Sequence, residues 1–351
     1  MFATISAFMG HGAPGLGGDG GHRSQASLDV PAGMAYDPVE NALLIAEYGA
    51  HRIRSVSLGD GTVTTLLGRG GTAGSSPSGV PASQCLLHSP ESMSVDPLGD
   101  VYVTDSLNHV VRRLNRSGEK GRKGTVDIVA GTGVKGFTPA GRRALDVMLS
   151  EPIWVEPAHS GGLYVLDYYN HRVLLLDDRG FLQPFAGTGA AGYTGDGPAT
   201  QSPLGGPHGM AQDVEGNVYI ADNWNRRVRK VRLSDGIMVT VAGNGQFGCG
   251  GDGGPALKAT LSGPKDIDGI HGVAVVDGEV LIADSGNNRI RSVSADGIIR
   301  TVAGTGRRGF ANGDGRPLDA DLTGPDSLLL LPDGTLLFCE YATHCVRALS
   351  R

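Results

Sequence analysis

Four side chains that can bind a divalent metal occupy one position of a recurring pattern in this sequence of 351 residues. His208 (GPHGMA), Glu91 (SPESMS) and Asp326 (GPDSLL) each directly follow a proline, and an apolar residue comes within two positions. His271 (GIHGVA) keeps the His-Gly-apolar-Ala order of His208 without the proline. Imidazole nitrogen and carboxylate oxygen bind zinc, and carboxylate oxygen binds calcium. If these side chains converge, they form a metal site with open coordination positions.

The sequence contains a repeated unit, which would bring equivalent residues of distant copies close together. Three recurring residues mark this unit. An acidic residue that ends a strand recurs every 55 to 62 residues. Its copies are Glu47, Asp105, Asp167, Asp222, Asp284 and Glu340. A glycine that ends a later strand recurs at Gly10, Gly68, Gly131, Gly187, Gly243 and Gly304. A proline that opens the unit recurs at Pro31, Pro90, Pro152, Pro207, Pro264 and Pro325.

The clearest copy of the unit runs from residue 206 to residue 243 and contains four short β-type segments: HGMAQ, NVYIA, RVRKVR and IMVTVA. Gly, Asp and Asn turns separate these segments, as expected for antiparallel strands. A four-stranded unit repeated at a fixed period is typical of a propeller blade. The sequence therefore predicts an all-β fold, a six-bladed β-propeller in one domain over residues 1–351. The predicted blades are 31–68; 90–131; 152–187; 207–243; 264–304, with an insert around 265–270; and 325–351 plus 3–10.

The two ends of the chain predict how the propeller closes. Thr4 to Met9 matches a fourth strand, but no first three strands precede it. Ser327 to Leu349 supplies three strands and then the chain stops. We therefore predict that the N-terminal strand completes the last blade, since this removes two exposed sheet edges. Deletion of residues 1–10 should then destabilise the whole ring.

The pattern P-x-G-apolar, then NVYIAD-x-x-NxR, then TVAGTG resembles the NHL repeat over essentially the whole chain. The resemblance implies a propeller whose first strands line a central channel, and it leaves function open because such propellers host enzymes and binding platforms. The contexts of His208 and His271 are similar to the zinc-histidine motifs of peptidylglycine α-amidating lyase. A third channel histidine has no counterpart, so Asp326 would replace it. Lactonase-like propellers instead hold calcium with acidic side chains, which Glu91 and Asp326 would suit.

The residues at the position after the proline form a ring at one end of the predicted channel, and two interpretations of this ring remain open. The first is that it binds one divalent metal, zinc or calcium. The second is that it shows ordinary variation of the repeat, with histidines hydrogen-bonded to water or backbone. Aromatic residues follow the second strand of several blades and should lie on the same face as the ring. They are Tyr48, Tyr168, Tyr169, Trp224 and Tyr341. They would wall a pocket or anchor a partner. The sequence therefore predicts a platform that binds a protein or small ligand; the alternative is a metal-dependent lyase or hydrolase.

Other recurring charged residues are predicted to be structural. The acidic landmarks should accept N–H groups of the following turn, and Arg52, Arg172, Arg227 and Arg289 should pair with them between blades. The GDG triplets at Asp19, Asp196, Asp252 and Asp314 lack the spacing of a calcium loop and should form turns. The segments between blades should contain a short helical piece whose leucines, Leu204, Leu261 and Leu322, cap the core.

Composition argues against some classes of binding partner and against a membrane span. The net charge is −6 and no basic block is present, which disfavours RNA and anionic membranes as partners. The sequence has no apolar run of about 18 residues, so it predicts no membrane span. The first residues are interpreted as a strand of the repeat rather than a signal peptide. Cys339 and Cys345 flank a tight turn that should place them opposite one another, as a disulfide or as two buried thiols, while Cys85 and Cys249 complete the four cysteines.

Overall fold

Six antiparallel sheets follow one another along the chain, each built from a consecutive stretch except the last. They form the blades of a six-bladed β-propeller, as the sequence predicts. The computed structural model describes residues 2–118, 121–263, 269–310 and 315–351. The described chain contains β-strands and single-turn 3₁₀ helices, and it contains no α-helix within those ranges. Nor does any helix there have the length and apolar character needed to cross a membrane.

The first three sheets occupy residues 31–186. The first sheet comprises β2 (Pro31–Asp37), β3 (Ala42–Glu47), β4 (Arg52–Ser57) and β5 (Val63–Gly68). The second comprises β6 (Val80–Pro81), β7 (Pro90–Val95), β8 (Val101–Asp105), β9 (Val110–Leu114) and β10 (Thr125–Ala130). The third comprises β11 (Arg142–Arg143), β12 (Pro152–Pro157), β13 (Leu163–Asp167), β14 (Arg172–Leu176) and β15 (Phe181–Ala186).

The fourth sheet comprises β16 (Gly197–Pro198), β17 (Pro207–Gln212), β18 (Val218–Asp222), β19 (Arg227–Val231) and β20 (Ile237–Ala242). The fifth comprises β21 (Val273–Val276), β22 (Glu279–Asp284), β23 (Arg289–Val293) and β24 (Ile299–Ala303). The sixth comprises β25 (Pro325–Leu330), β26 (Leu336–Glu340), β27 (Cys345–Ser350) and β1 (Thr4–Met9). Two compact units result: unit 1 is Met1–Phe8 with Ala186–Arg351, and unit 2 is Met9–Phe185.

The N-terminal strand β1 lies beside β27 in the sheet order β1-β27-β26-β25. The Ala3 N–H donates to the Ser350 carbonyl at 2.7 Å. Ile5 is 1% exposed and belongs to the same apolar cluster as Phe338 and Leu349. The N-terminal segment therefore contributes both backbone pairing and core packing to the last sheet, and the effect of its deletion on the ring stays a prediction.

The segments between blades are ordered, as predicted. Each contains a short 3₁₀ helix; these are Arg23–Gln25, Ala82–Gln84, Ala144–Asp146, Ala199–Gln201, Ala256–Lys258 and Pro317–Asp319. Leu204, Leu261 and Leu322 are fully buried in the core. The strands β6, β11 and β16 arise in these segments and each adds a fifth strand to the edge of the sheet that follows. The segments thus cover sheet edges that would otherwise expose unpaired backbone groups.

The GDG aspartates bind a buried arginine on the third strand of the following sheet. Asp19 accepts from Arg54 at 2.6 Å and from the Thr65 hydroxyl at 2.6 Å. Asp252 accepts from Arg291 at 2.5 Å, and the Asp196 carboxylate lies 3.6 Å from Arg229. Arg54, Arg229 and Arg291 are fully buried, so these carboxylates neutralise charge inside the protein. The triplets are therefore structural turns rather than cation loops.

The acidic landmarks are structural too, but their partners differ from the prediction. Each accepts the backbone N–H of a residue that precedes the first strand, as Asp222 does from Gly205 at 2.7 Å, rather than that of the following turn. Arg52 and Arg172 pair with the acidic residue of their own sheet, Glu47 and Asp167, and not between blades. Arg227 and Arg289 donate to the carbonyls of Asn244 and Thr305 instead. The prediction of pairing between blades is therefore wrong for these arginines.

The Cys339–Cys345 hairpin is also out of the predicted register. Cys339 lies opposite Val346, and Glu340 lies opposite Cys345. Because neighbouring residues of a strand face opposite sides of the sheet, the two thiols point to different faces. Both are buried and free, and burial raises the pKa of Cys345 to about 12. The cysteines are therefore buried thiols, the second of the two alternatives. Predictions on Pro264, on the insert at 265–268 and on Asp314 lie outside the described residues.

Candidate metal centre

Three first strands of unit 1 bring two histidines and one aspartate to one point. His208 lies on β17, His271 lies two residues before the start of β21, and Asp326 lies on β25. The ladders β17–β18 and β25–β26 each contain an irregularity just after the opening proline, between Pro207 and Met210 and between Pro325 and Leu328. A bulge of this kind re-aims the side chains within it. It therefore turns His208 and Asp326 at the start of their strands.

Glycines next to the histidines allow these strands to approach one another. A Cβ on Gly209 would lie 2.5 Å from the His271 carbonyl oxygen, and a Cβ on Gly272 would collide with the Asp326 carbonyl oxygen. Only glycine leaves room for such close backbone contact. In the His-Gly pair, histidine would supply a ligand atom, and glycine allows the neighbouring strand to bring its own candidate ligand close.

The three side chains form a tight cluster. One ligand atom from each lies within 4.8 Å of the others. The rings of His208 and His271 are stacked, with centroids 4.0 Å apart and planes 5° from parallel. The Nδ1 atom of His271 lies 3.3 Å from Oδ2 of Asp326. His271 and Asp326 are 6% and 7% exposed, and His208 is half-buried.

The electrostatics favour a neutral His208 beside an ionised Asp326. Burial, together with the neighbouring His271, lowers the pKa of His208 to about 3. Burial by itself would raise the pKa of Asp326, but the charge and hydrogen bond of His271 outweigh burial and lower that pKa. Metals bind neutral imidazole and ionised carboxylate, so these states of His208 and Asp326 suit coordination, while His271 would release a proton on binding a metal.

The donor set fits a divalent metal of the zinc class. Two imidazole nitrogens and one carboxylate oxygen form a ligand set typical of zinc, at about 2.0–2.2 Å from each atom. In a tetrahedral zinc site, ligand atoms at those distances lie about 3.5 Å apart. The three ligand atoms, which lie within 4.8 Å of one another, would therefore have to approach by up to about 1.3 Å to share one ion.

The fourth predicted ligand, Glu91, belongs to unit 2. It is half-buried on β7, directly after Pro90. Ala32 and Ile153 hold the same position on β2 and β12, and both are buried apolar residues. Coordination by Glu91 stays a prediction.

Two of the predicted aromatic residues pack beside the cluster in unit 1. The Trp224 indole lies against Gly206, where a Cβ would be 2.6 Å from the ring. The Tyr341 ring lies 3.2 Å from the corresponding point on Gly324. These glycines stand two residues before His208 and Asp326, so each ring flanks the strand that carries a ligand. Trp224 is 42% exposed and remains accessible to a ligand or partner.

The other three aromatic residues lie in unit 2. Tyr168 and Tyr169 contact each other edge to face, with ring centroids 4.7 Å apart. The Lys135 ammonium lies 4.8 Å from the Tyr169 ring and 2.6 Å from Glu151. Burial raises the pKa of Tyr48, and the charge of Glu91 raises it further. Tyr48 and Glu91 are thus electrostatic neighbours.

Comparison with known sequences finds the repeat and several longer proteins. The NHL repeat family model matches residues 204–231 and 268–291. Protein SUPPRESSOR OF QUENCHING 1 of Arabidopsis thaliana is 28% identical over 239 residues, 66% of this chain and 22% of that protein. NHL repeat-containing protein 2 of Bos taurus is 26% identical over 352 residues, 92% of this chain and 46% of that protein. The chain spans less than half the length of these relatives.

Comparison with solved structures finds the same fold at low identity. An auxiliary nutrient binding protein from Bacteroides thetaiotaomicron has a TM-score of 0.68 and 14% identity, covering 99% of this chain and 76% of that one. A gluconolactonase from Xanthomonas campestris has a TM-score of 0.58 and 14% identity, covering 92% and 86%. Virginiamycin B lyase from Staphylococcus aureus has a TM-score of 0.53 and 13% identity, covering 93% and 98%. These likenesses concern the fold alone.

Proposed function

Because this chain is an NHL-repeat β-propeller, we propose that it is a binding platform that engages a small ligand at a divalent metal held by His208, His271 and Asp326. One observation carries the proposal: ligand atoms from three blades lie within 4.8 Å of one another. Two or three protein ligands leave coordination positions open. A bound metal would offer those positions to an oxygen or nitrogen atom of the ligand.

Residues around the cluster have distinct tasks in this proposal. Asp326 would supply the carboxylate ligand, and its Oδ2 atom lies 3.3 Å from Nδ1 of His271. Trp224 and Tyr341 supply aromatic surface beside the metal, where they would pack against the body of a ligand.

Metal content tests the proposal directly. We expect about one zinc, calcium or manganese ion per chain in elemental analysis of the protein after incubation with each metal and removal of the excess. The double variant His208→Ala, His271→Ala should lose it while its melting temperature stays close to that of the parent. His11→Ala, an exposed histidine of unit 2, serves as the matched control and should keep the metal. Absence of metal from the parent protein, or full retention by the double variant, would reject the metal centre.

A second measurement separates the ligand platform from the metal itself. Trp224→Ala and Tyr341→Ala should keep the metal content and weaken the binding of ligands found in a small-molecule screen. If both variants bind every ligand as the parent does, the aromatic residues have no part in recognition.

A metal-dependent lyase or hydrolase is the second candidate, favoured by the His271–Asp326 contact. A carboxylate that orients an imidazole is an arrangement found where histidine ligates a metal or moves a proton. The metal would supply Lewis-acid activation of a carbonyl oxygen. A screen of lactones, esters and β-elimination substrates tests this candidate. Turnover that Asp326→Asn lowers at least tenfold would support it, and turnover unchanged in that variant would exclude this site as its source.

A further inference from the structure

Unit 2 contains a cavity of about 930 Å³ between its second and third sheets, and none of its lining residues belongs to the candidate metal centre. The turn that joins β7 to β8 and the turn that joins β12 to β13 form its rim. Leu98, Val129, Leu163 and Leu176 provide apolar wall. Cavities of about 300–1,000 Å³ with apolar walls and a few polar groups are typical of small-molecule sites.

The polar lining carries an excess of negative charge. Arg113 donates from Nε to the buried Asp100 carboxylate at 2.7 Å, so its charge is balanced within the wall. Asp96 accepts the N–H groups of Leu98 and Asp100, each at 2.9 Å, and it forms no ion pair with any residue that the structure describes. The exposed Asp178 likewise has no ion-pair partner in the described ranges. Within that part of the chain, two carboxylates at this cavity therefore lack a cation.

The corresponding turn of the fourth sheet shows what such a carboxylate binds when a cation is available. Asp213, Tyr219 and Lys230 hold the repeat positions of Asp96, Tyr102 and Arg113. There the Lys230 ammonium lies 3.1 Å from the Asp213 carboxylate and 4.9 Å from the Tyr219 ring centroid. In the second sheet Arg113 turns to Asp100, because that position holds an aspartate where the fourth sheet has Asn217. Asp96 forms no ion pair with a described residue, and the Arg113 guanidinium carbon lies 6.0 Å from the centroid of the neighbouring Tyr102 ring.

We propose that this cavity binds a small organic cation with an apolar body. The ammonium or guanidinium group takes the place beside Asp96 and Tyr102 that the Lys230 ammonium takes beside Asp213 and Tyr219. Charge attraction to Asp96 stabilises a cation in that position. The Tyr102 ring, which has the Arg113 guanidinium carbon 6.0 Å from its centroid, borders the same position. The apolar body packs against Leu98, Val129 and Leu163.

Three probes of the same shape and different charge test the proposal: 4-phenylbutylammonium, 4-phenylbutanol and 4-phenylbutyrate. Isothermal titration calorimetry on the full chain should give the lowest Kd for the ammonium, at least about tenfold below that of the alcohol, and no binding of the carboxylate. Equal Kd values for ammonium and alcohol, or no binding of the ammonium, would overturn the proposal.

Variants locate the site. Asp96→Asn keeps an oxygen that can accept the Leu98 and Asp100 N–H groups, and it should raise the Kd of the ammonium about tenfold. Leu98→Arg changes a side chain that is 60% exposed and should raise the Kd further, because it places a cation at the rim. Asp213→Asn is the matched control and should leave the Kd unchanged. Melting temperatures verify folding.

Two results with these variants would contradict the proposal. One is an unchanged Kd in both Asp96→Asn and Leu98→Arg. The other is an equal loss in Asp213→Asn, which would show that the effect is not local. A third result would change the class of ligand. If a lysine-phenylalanine dipeptide has a Kd more than tenfold below that of the amine, and Asp96→Asn raises that Kd, the proposal of a small organic cation is wrong and the ligand is a peptide.

Discussion

The two units enter their first strands with the same backbone but with different residues. The position before the proline has a φ of 50–54° at Val30, Ser89 and Glu151 in unit 2, and of 50° and 57° at Gly206 and Gly324 in unit 1. A left-handed conformation costs an L-residue about 1–2 kcal/mol and costs glycine little. The fold therefore imposes this backbone whatever the residue is. In unit 1, glycine also makes room for Trp224 and Tyr341 beside the metal candidates.

A second contrast concerns the buried carboxylate at the end of each second strand. In unit 2, Arg112 donates to Asp105 at 2.6 Å, and Arg172 donates to Asp167 at 2.9 Å. In unit 1 the nearest guanidinium nitrogen lies 3.6 Å from the Asp222 carboxylate. Asp222 depends instead on the Gly205 N–H and on Asn225 at 2.9 Å. Burial raises the pKa of Asp222 to about 6. The same motif is thus a close ion pair in one unit and a hydrogen-bonded acid in the other.

The largest expected effect comes from removing the arginine of each pair. Arg112→Met leaves the fully buried Asp105 charge uncompensated and should lower the free energy of unfolding by about 3–5 kcal/mol. Arg229→Met should cost roughly half as much, because its nearest nitrogen lies 3.6 Å from the Asp222 carboxylate. Both arginines are fully buried and donate to a carbonyl at 2.8 Å, so the pair is matched. Urea denaturation provides the values; equal losses would remove the contrast.

The next effect in size is the change in stability with pH that Asp222 causes. Its sign should be opposite to that caused by an exposed carboxylate with a lowered pKa. Its folded pKa of about 6 lies above the ordinary value of 3.8, so its stabilising contribution is complete below about pH 4 and is lost as pH rises through 6. The stability of the parent relative to Asp222→Asn should therefore fall by up to about 3 kcal/mol between pH 4 and pH 7.

Asp235 provides the control for this measurement. It is exposed, and hydrogen bonding to Arg232 lowers its pKa. Comparison of the parent with Asp235→Asn should give a slope of the other sign, since a lowered pKa contributes stability that is lost as pH falls. A flat difference for Asp222→Asn across pH 4–7 would contradict the raised pKa.

The smallest effect comes from exchanging the residues before the prolines. Val30→Gly should raise the free energy of unfolding by roughly 0.5–1 kcal/mol, because relief of the left-handed strain exceeds the entropy lost by glycine. Gly206→Val should lower it, since it adds the strain and displaces the Trp224 ring. Thermal unfolding followed by circular dichroism measures both. Destabilisation by Val30→Gly would show that valine packing outweighs its backbone strain.

The sequence predicted much of the fold because each strand and turn pattern recurs in six copies. Proline, acidic residue and glycine landmarks located the strands, and the position after the proline indicated that His208, His271 and Asp326 lie close together. The role of Gly209 and Gly272 was missed, although the His-Gly pair was visible. A glycine signals a close approach only when the neighbouring backbone is known.

Partners that depend on three-dimensional packing were not predicted. The close ion pairs of Arg52 and Arg172 were assigned between blades, and the deeply buried Arg54, Arg112, Arg229 and Arg291 were not singled out. Alternation along a strand gives the face of a side chain but not which of several arginines reaches a carboxylate. The prediction that Cys339 and Cys345 lie opposite one another was wrong for a similar reason, since a shift of one residue in register moves a side chain to the other face of the sheet.

What the sequence by itself determined is the order and number of the strands, the closeness of the three metal candidates and the structural nature of the GDG turns. These depend on local periodicity, which repeats make redundant. Only the tertiary structure decided which arginine binds which carboxylate and that Asp96 borders a cavity. Those outcomes depend on distances between side chains of different strands, which differences of single residues, such as Asp100 against Asn217, are enough to change.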